Sequence, residues 1–131
     1  MKLLLDTHAY MWFADGNTLL SEKARLLIEN QDNSKYVSMV SFYEMAIKIK
    51  TGKLSLTISL KDYFEYAKKN GITVLPLSEN YIFEYNTVPL LADHRDPFDR
   101  LIIATAIYEK LEIITTDAMF KNYNNLVNIA W

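Results

Sequence analysis

The chain is organised around the stretch His94-Arg95-Asp96-Pro97-Phe98-Asp99-Arg100-Leu101-Ile102-Ile103-Ala104-Thr105-Ala106. It predicts an apolar helix, because Asp96 is a favourable N-cap residue and Pro97 occupies the first helical position, where proline is well tolerated. The residues expected to face a core recur at helical spacing and are Phe98, Leu101, Ile102 and Ala106. Asp99 lies in the first turn, off this apolar stripe. Its carboxylate either complements the helix dipole or serves a site at this end of the helix.

Short apolar stretches alternate with helical patterns along the rest of the chain. The strand candidates are residues 3–5, 36–40, 72–75, 112–116 and 126–130, and Ser41 is expected to open the helix that follows the second strand. This alternation predicts an α/β fold with three layers, in which a parallel sheet carries helices on both faces. The length of 131 residues suits one domain spanning 1–131.

The composition narrows the classes of function. The chain has no cysteine, which excludes disulfides, zinc–thiolate sites and cysteine nucleophiles and favours a cytoplasmic location. No apolar run approaches the roughly 20 residues of a membrane helix, so we expect no membrane association. The formal net charge of −2 argues against a broad basic face for nucleic acid, but it allows a local basic rim around an acidic site.

Carboxylates recur at the ends of the predicted strands. Asp6 follows the first strand and Asp117 the fourth, while Glu44 lies one turn into the helix after the second strand. Asp99 and its neighbour Asp96 begin the helix that leads to the fourth strand. Because functional groups of open parallel sheets gather beyond the carboxyl ends of the strands, we expect these side chains to share one edge.

Each of these acidic residues also has a purely structural explanation. Asp6 and Asp117 are suitable caps for the helices that follow them, and Ser41-x-x-Glu44 has the form of a capping box. Capping residues need not all fall at one edge of a sheet, however. Their conjunction therefore favours a site.

A cluster of carboxylates cannot stay ionised at close range without a cation. Hard oxygen ligands select Mg²⁺ or Mn²⁺, and such an ion suits phosphoester hydrolysis by an activated water. A strand ending in aspartate also opens dehalogenase-like phosphatases, but these need a second aspartate where this chain has His8. The carboxylates therefore point to metal-assisted hydrolysis rather than to a phosphoaspartate enzyme.

Four short motifs, taken in chain order, resemble the PIN-domain family of metal-dependent ribonucleases, and in particular the VapC-like toxins and the PilT N-terminus-like branch. They are Leu3-Leu4-Leu5-Asp6-Thr7, Ser38-x-x-Ser41-x-x-Glu44, Asp99-Arg100-Leu101-Ile102-Ile103-Ala104-Thr105-Ala106 and Ile114-Thr115-Thr116-Asp117. Any one of these motifs is weak evidence. Four in order, in a chain of family size, are fairly specific.

The resemblance implies a PIN-like sheet of about five strands and cleavage of single-stranded RNA with Mg²⁺ or Mn²⁺. The catalytic, metal-holding residues would be Asp6, Glu44, Asp99 and Asp117, with Asp96 as a further candidate. It also implies a homodimer and a cognate antitoxin protein as partner. Phosphate contacts are expected from basic residues near the acidic edge, namely Arg100, Arg95 and Lys48, with Lys50 and Lys53 as further candidates. The alternative is a catalytically inactive PIN-like scaffold that binds RNA or a protein partner.

Overall fold

A computed structural model describes residues 1–92 and 95–131; His94, quoted in the central stretch, lies outside the described residues. Five strands and six α-helices alternate along the described chain. They are β1 (Lys2–Leu5), α1 (Thr7–Asp15), α2 (Glu22–Glu29), β2 (Ser34–Ser38), α3 (Met39–Lys50), α4 (Leu60–Lys69), β3 (Ile72–Leu75), α5 (Glu79–Tyr85), α6 (Pro97–Glu109), β4 (Glu112–Ile114) and β5 (Ile129–Ala130), with a 3₁₀ helix at Ala118–Tyr123 before β5.

The strands form one sheet in the order β3-β2-β1-β4-β5, and every neighbouring pair is parallel. This confirms the predicted α/β fold with a central parallel sheet of five strands. β1 lies in the middle and is paired on both sides, which explains why Leu3, Leu4 and Leu5 are completely buried. All carboxyl ends of the strands therefore point to the same edge.

Successive residues of β1 serve opposite faces of the sheet. Leu3 and Leu5 pack with residues of α1 to α4, including Tyr10, Met45 and Tyr63. Leu4 packs on the other face with α6 and the 3₁₀ helix. Two apolar cores thus hold helices on both faces and give the expected three layers. In the described residues, no helix combines the length and hydropathy needed to cross a bilayer.

The predicted boundary between β2 and α3 was wrong. The second strand ends at Ser38 rather than at residue 40, because the Ser38 hydroxyl caps the helix by accepting a hydrogen bond from the backbone N–H of Val40 at 3.1 Å. Helix α3 therefore begins at Met39, and Ser41 lies inside it. The last strand is also shorter than predicted, since only Ile129–Ala130 pairs with β4.

Candidate active site

A cavity of about 320 Å³ opens at the carboxyl edge of the sheet. The elements that meet there are the start of α1 after β1, the second turn of α3, the start of α6 and the chain after β4. Its lining is rich in carboxylates and hydroxyls and consists of Asp6, Thr7, His8, Trp12, Glu44, Lys48, Asp96, Asp99, Thr116 and Asp117. The structure thus brings together all five acidic residues that were expected at one edge.

Asp6 is the most constrained of these carboxylates. It caps α1, where its Oδ1 accepts a hydrogen bond from the backbone N–H of Ala9 at 2.7 Å, and its Oδ2 accepts one from the Thr115 hydroxyl. Burial raises the pKa of Asp6 from 3.8 to about 6, although the hydrogen bonds from Thr115 and Ala9 act in the opposite direction. Asp6 is therefore a helix cap at the edge of the cavity, and burial disfavours its negative charge.

Glu44 is buried, with 4% of its surface exposed, and both of its oxygens are engaged. Its Oε1 accepts a hydrogen bond from the Thr7 hydroxyl at 2.7 Å, and its Oε2 accepts one from the Lys48 ammonium, also at 2.7 Å. The Thr7 hydroxyl also lies 2.9 Å from that of Ser41. Because Ser38 caps α3, the capping-box explanation of Glu44 was wrong, and this carboxylate is turned towards α1.

Asp96 and Asp117 cap helices and line the cavity at the same time. Asp96 accepts hydrogen bonds from the backbone N–H groups of Phe98 and Asp99, at 2.8 and 3.2 Å. Asp117 accepts one from the N–H of Met119 at 2.9 Å. Asp99 lies in the first turn of α6 and is half-buried at the cavity. The structural and functional explanations of these acids are therefore compatible.

The three basic residues expected to contact phosphate occupy different environments. Lys48 lines the cavity, whereas Arg95 is exposed next to Asp96 and is not part of the lining. Burial acts to lower the pKa of Lys48, but the hydrogen bond and the charge of Glu44 outweigh burial and raise this pKa. The charges of Asp96 and Asp99 raise it further.

The expected position of Arg100 at the acidic edge was wrong. Its side chain is buried, with only 5% of its surface exposed. The guanidinium donates a hydrogen bond to the carbonyl oxygen of Val88 at 2.5 Å and stacks over the ring of Tyr85, 4.6 Å from the ring centroid. A buried guanidinium cannot reach a phosphate from outside, so Arg100 joins α6 to the segment after α5.

The hydroxyl groups that hold the carboxylates were not singled out in the sequence. Thr7 orients Glu44, and Thr115 orients Asp6 while accepting a hydrogen bond from the N–H of Asp117 at 3.0 Å. A signal was available, since these threonines lie next to Asp6 and two residues before Asp117. Metal-ligating carboxylates are generally held in place by hydrogen bonds from neighbouring groups, and a hydroxyl can serve as such a partner.

The donors suit a hard divalent cation in kind, because they are carboxylate and hydroxyl oxygens. Within residues 1–92 and 95–131, however, no three His, Asp or Glu side chains are gathered closely enough to enclose an ion. Glu44 explains part of this arrangement, since Thr7 and Lys48 occupy its two oxygens. An ion would have to compete with these partners.

Comparisons with known proteins agree on one family. Residues 3–126 match the family model described as PIN domain. Ribonuclease VapC22 of Mycobacterium tuberculosis is 28% identical over 127 residues, which cover 94% of this chain and 92% of that protein.

Solved structures share the fold at low identity. VapBC2 of Rickettsia felis, solved with a DNA fragment from their promoter, has a TM-score of 0.68 at 18% identity, covering 99% of this chain and 98% of that chain. VapBC-1 of nontypeable Haemophilus influenzae has a TM-score of 0.67 at 16% identity, covering 99% and 97%. A PilT N-terminus domain protein of Sulfolobus solfataricus has a TM-score of 0.60 at 14% identity, covering 99% and 86%.

Proposed function

The chain belongs to the PIN-domain family, and we propose that it is a metal-dependent endoribonuclease that hydrolyses phosphodiester bonds of single-stranded RNA. The observation that carries the proposal is the convergence of five carboxylates on one cavity at the carboxyl edge of the sheet. Helix capping does not account for this convergence, because Glu44 caps no helix and is nevertheless buried at the same cavity as Asp6. The similarity to ribonuclease VapC22 supports the same class of reaction.

The residues proposed to hold Mg²⁺ or Mn²⁺ are Asp6, Glu44, Asp99 and Asp117, with Asp96 as a further candidate. When bound, such an ion supplies an activated water and neutralises charge that develops on the phosphate and on the leaving oxygen. The protein contributes orientation, because Thr115 fixes the carboxylate of Asp6 and Thr7 fixes that of Glu44. Lys48 and Arg95 remain candidates for contacts with RNA phosphates, whereas Arg100 does not.

We further propose that this single domain, 1–131, is a cytoplasmic toxin that forms a homodimer and is neutralised by a cognate antitoxin. The support comes from its structural neighbours, since one of them, from Mycobacterium tuberculosis, is described as a member of the VapBC family of toxin–antitoxin systems, and another is a toxin–antitoxin complex from Klebsiella pneumoniae. An acidic cavity is also a suitable receptor for a basic segment of a partner, which would compete there with RNA.

The proposal is tested by incubating bacterial RNA with purified, antitoxin-free protein in the presence of Mg²⁺, Mn²⁺ or EDTA. The decisive variant is Asp99→Asn, and its matched control is Asp62→Asn, because Asp62 is an exposed aspartate in the first turn of another helix, α4. We expect cleavage with either metal, none with EDTA, none for Asp99→Asn and full activity for Asp62→Asn.

Two outcomes would contradict the proposal. Cleavage that persists in EDTA or in Asp99→Asn would mean that the acidic cavity is not the active site. Absence of cleavage by folded wild-type protein under every metal would favour the alternative, a PIN-like scaffold that only binds RNA or a protein partner. A binding assay with the same RNA would then separate these two kinds of scaffold.

A further inference from the structure

Lys48 places a positive charge inside the acidic cavity. Its Nζ lies 2.7 Å from Oε2 of Glu44, one helical turn earlier on α3. The side chain of Glu44 is 5% exposed and that of Lys48 is 32% exposed, so the ammonium covers a buried carboxylate from the side of the cavity. Asp96 and Asp99, which begin α6, act on the same ammonium through their charges.

A second ion pair in this chain has the same spacing of four residues but differs in its exposure to water. Arg25 and Glu29 of α2 lie 2.9 Å apart, but their side chains are 45% and 48% exposed. Water screens such a surface pair, and its strength is small. The carboxylate of Glu44 has no such access to water, and leaving a buried charge without a partner is strongly unfavourable. Lys48 therefore compensates the charge of the buried Glu44 carboxylate when no other cation is bound there.

A divalent cation bound by Glu44 would lie close to the ammonium of Lys48. Oε1 of Glu44 accepts its hydrogen bond from a neutral hydroxyl, that of Thr7, whereas Oε2 accepts its hydrogen bond from a positive charge. Two positive charges at one carboxylate oxygen would also repel each other at close range. Metal coordination by Glu44 therefore disfavours the ion pair with Lys48 on electrostatic grounds.

We propose that Lys48 is the built-in counter-ion of Glu44, and that a divalent cation bound at this site displaces its ammonium. This inference rests on the proposed function, since it concerns the same site. It assigns Lys48 a role as a positioning residue, which holds the side chain of Glu44 in place in the metal-free protein.

The first test measures Mn²⁺ affinity by titration calorimetry in the absence of RNA, for wild type, Lys48→Met and Lys50→Met. Lys50 is exposed near the end of the same helix, so its variant carries the same change in net charge without touching Glu44. We expect Lys48→Met to bind Mn²⁺ about tenfold more tightly than wild type, because a competing positive charge is removed. Lys50→Met should match wild type.

A second test uses the wild-type protein and does not depend on a variant that folds. Lysine acetylation followed by mass spectrometry reports how accessible each ammonium is. We expect Mn²⁺ to increase the acetylation of Lys48 severalfold while that of Lys50 stays constant.

The outcomes separate this inference from the proposed function. Equal or weaker Mn²⁺ binding by Lys48→Met, or Mn²⁺ binding without a change at Lys48, would overturn the counter-ion role and leave a metal-dependent nuclease standing. Absence of Mn²⁺ binding by every form of the protein would overturn both.

Discussion

The two ends of helix α1 each carry an aspartate that accepts hydrogen bonds from hydroxyl groups, but the two aspartates have opposite surroundings. Asp6 caps the N-terminal end, is buried, and shares a cavity with four other carboxylates. Asp15, the last residue of α1, is exposed and accepts hydrogen bonds from Tyr63 at 2.5 Å and Thr57 at 2.7 Å. Only one end of the helix therefore concentrates negative charge.

This contrast shows that a hydroxyl partner alone does not identify a functional carboxylate. At Asp15 the hydroxyls fasten the loop before α4 and α4 itself to α1, and they compensate for a negative charge at the unfavourable end of the helix dipole. At Asp6 the helix dipole is favourable, yet burial still raises the pKa to about 6. A carboxylate kept in a position that disfavours its charge is a better sign of a site.

The largest expected difference between the two ends concerns cleavage. Asp6→Asn should reduce RNA cleavage by about a thousandfold or more, since metal ligation stabilises the transition state by several kcal/mol. Asp15→Asn, the same change at the other end of α1, should leave the rate within a factor of about two, because ordinary surface changes are small. Initial rates on one RNA at saturating Mg²⁺ measure both. Equal losses of activity in the two variants would mean that the two ends of α1 do not differ in function.

The same two variants should change stability in opposite directions. The raised pKa of Asp6 means that the folded state holds this proton more tightly than the unfolded state. The contribution of Asp6 to the stability of the wild type in EDTA should therefore fall as the pH rises from about 4 to above 6, by about 3 kcal/mol. At pH 8, Asp6→Asn should recover most of this loss, whereas Asp15→Asn should lose about 1 kcal/mol with its charged acceptor.

Urea unfolding at pH 4 and pH 8 measures these differences. The advantage of Asp6→Asn over wild type should vanish at pH 4, where the wild-type carboxyl is already protonated. A stability gain that is independent of pH would show that the negative charge of Asp6 is not its cause.

The hydroxyl that orients Asp6 should have an intermediate effect. Thr115→Val keeps the shape of a buried side chain but removes the hydrogen bond to Asp6, and we expect cleavage to fall by about 10- to 100-fold. Thr105→Val is the matched control, because Thr105 is equally buried but donates within α6 to the carbonyl oxygen of Leu101. A similar loss in both variants would attribute the effect to general damage rather than to orientation.

The smallest effect is expected at the hydroxyl that holds Asp15. Tyr63→Phe removes the hydrogen bond to Asp15 while keeping the buried ring, so unfolding should become easier by about 1 kcal/mol. Cleavage should not change. Thermal unfolding and the RNA assay together check this. A loss of activity would contradict the prediction, because it would mean that the surroundings of Asp15 affect the acidic cavity at the other end of α1.

Local sequence patterns predicted much of the fold and the position of the acidic edge. The strands are short and apolar, Asp6 follows β1 directly and Asp117 lies shortly after β4, so a parallel sheet brings both to one place. The caps at Asp6, Asp96 and Asp117 were also recognisable, because capping depends on residues that are neighbours in sequence. Family membership, predicted from four motifs, is confirmed by the match over residues 3–126.

Features that depend on distant residues were not predictable in this way. Ser38 and Ser41 are equally good caps by composition, so residue type alone does not decide between them. The burial of Arg100 depends on Tyr85 and Val88, which belong to another segment. The pairing of Glu44 with Lys48 follows from their spacing of four residues, but its burial does not.

The hydrogen bond between Thr115 and Asp6 joins residues that are 109 positions apart. Both the first and the fourth strand must therefore be in place before this carboxylate is held, and pairing between such distant segments is slow because a long loop must close first. Until residues 112–117 have been translated, a nascent chain lacks both β4 and Asp117. The acidic cavity therefore cannot assemble on a nascent chain before that segment has been made.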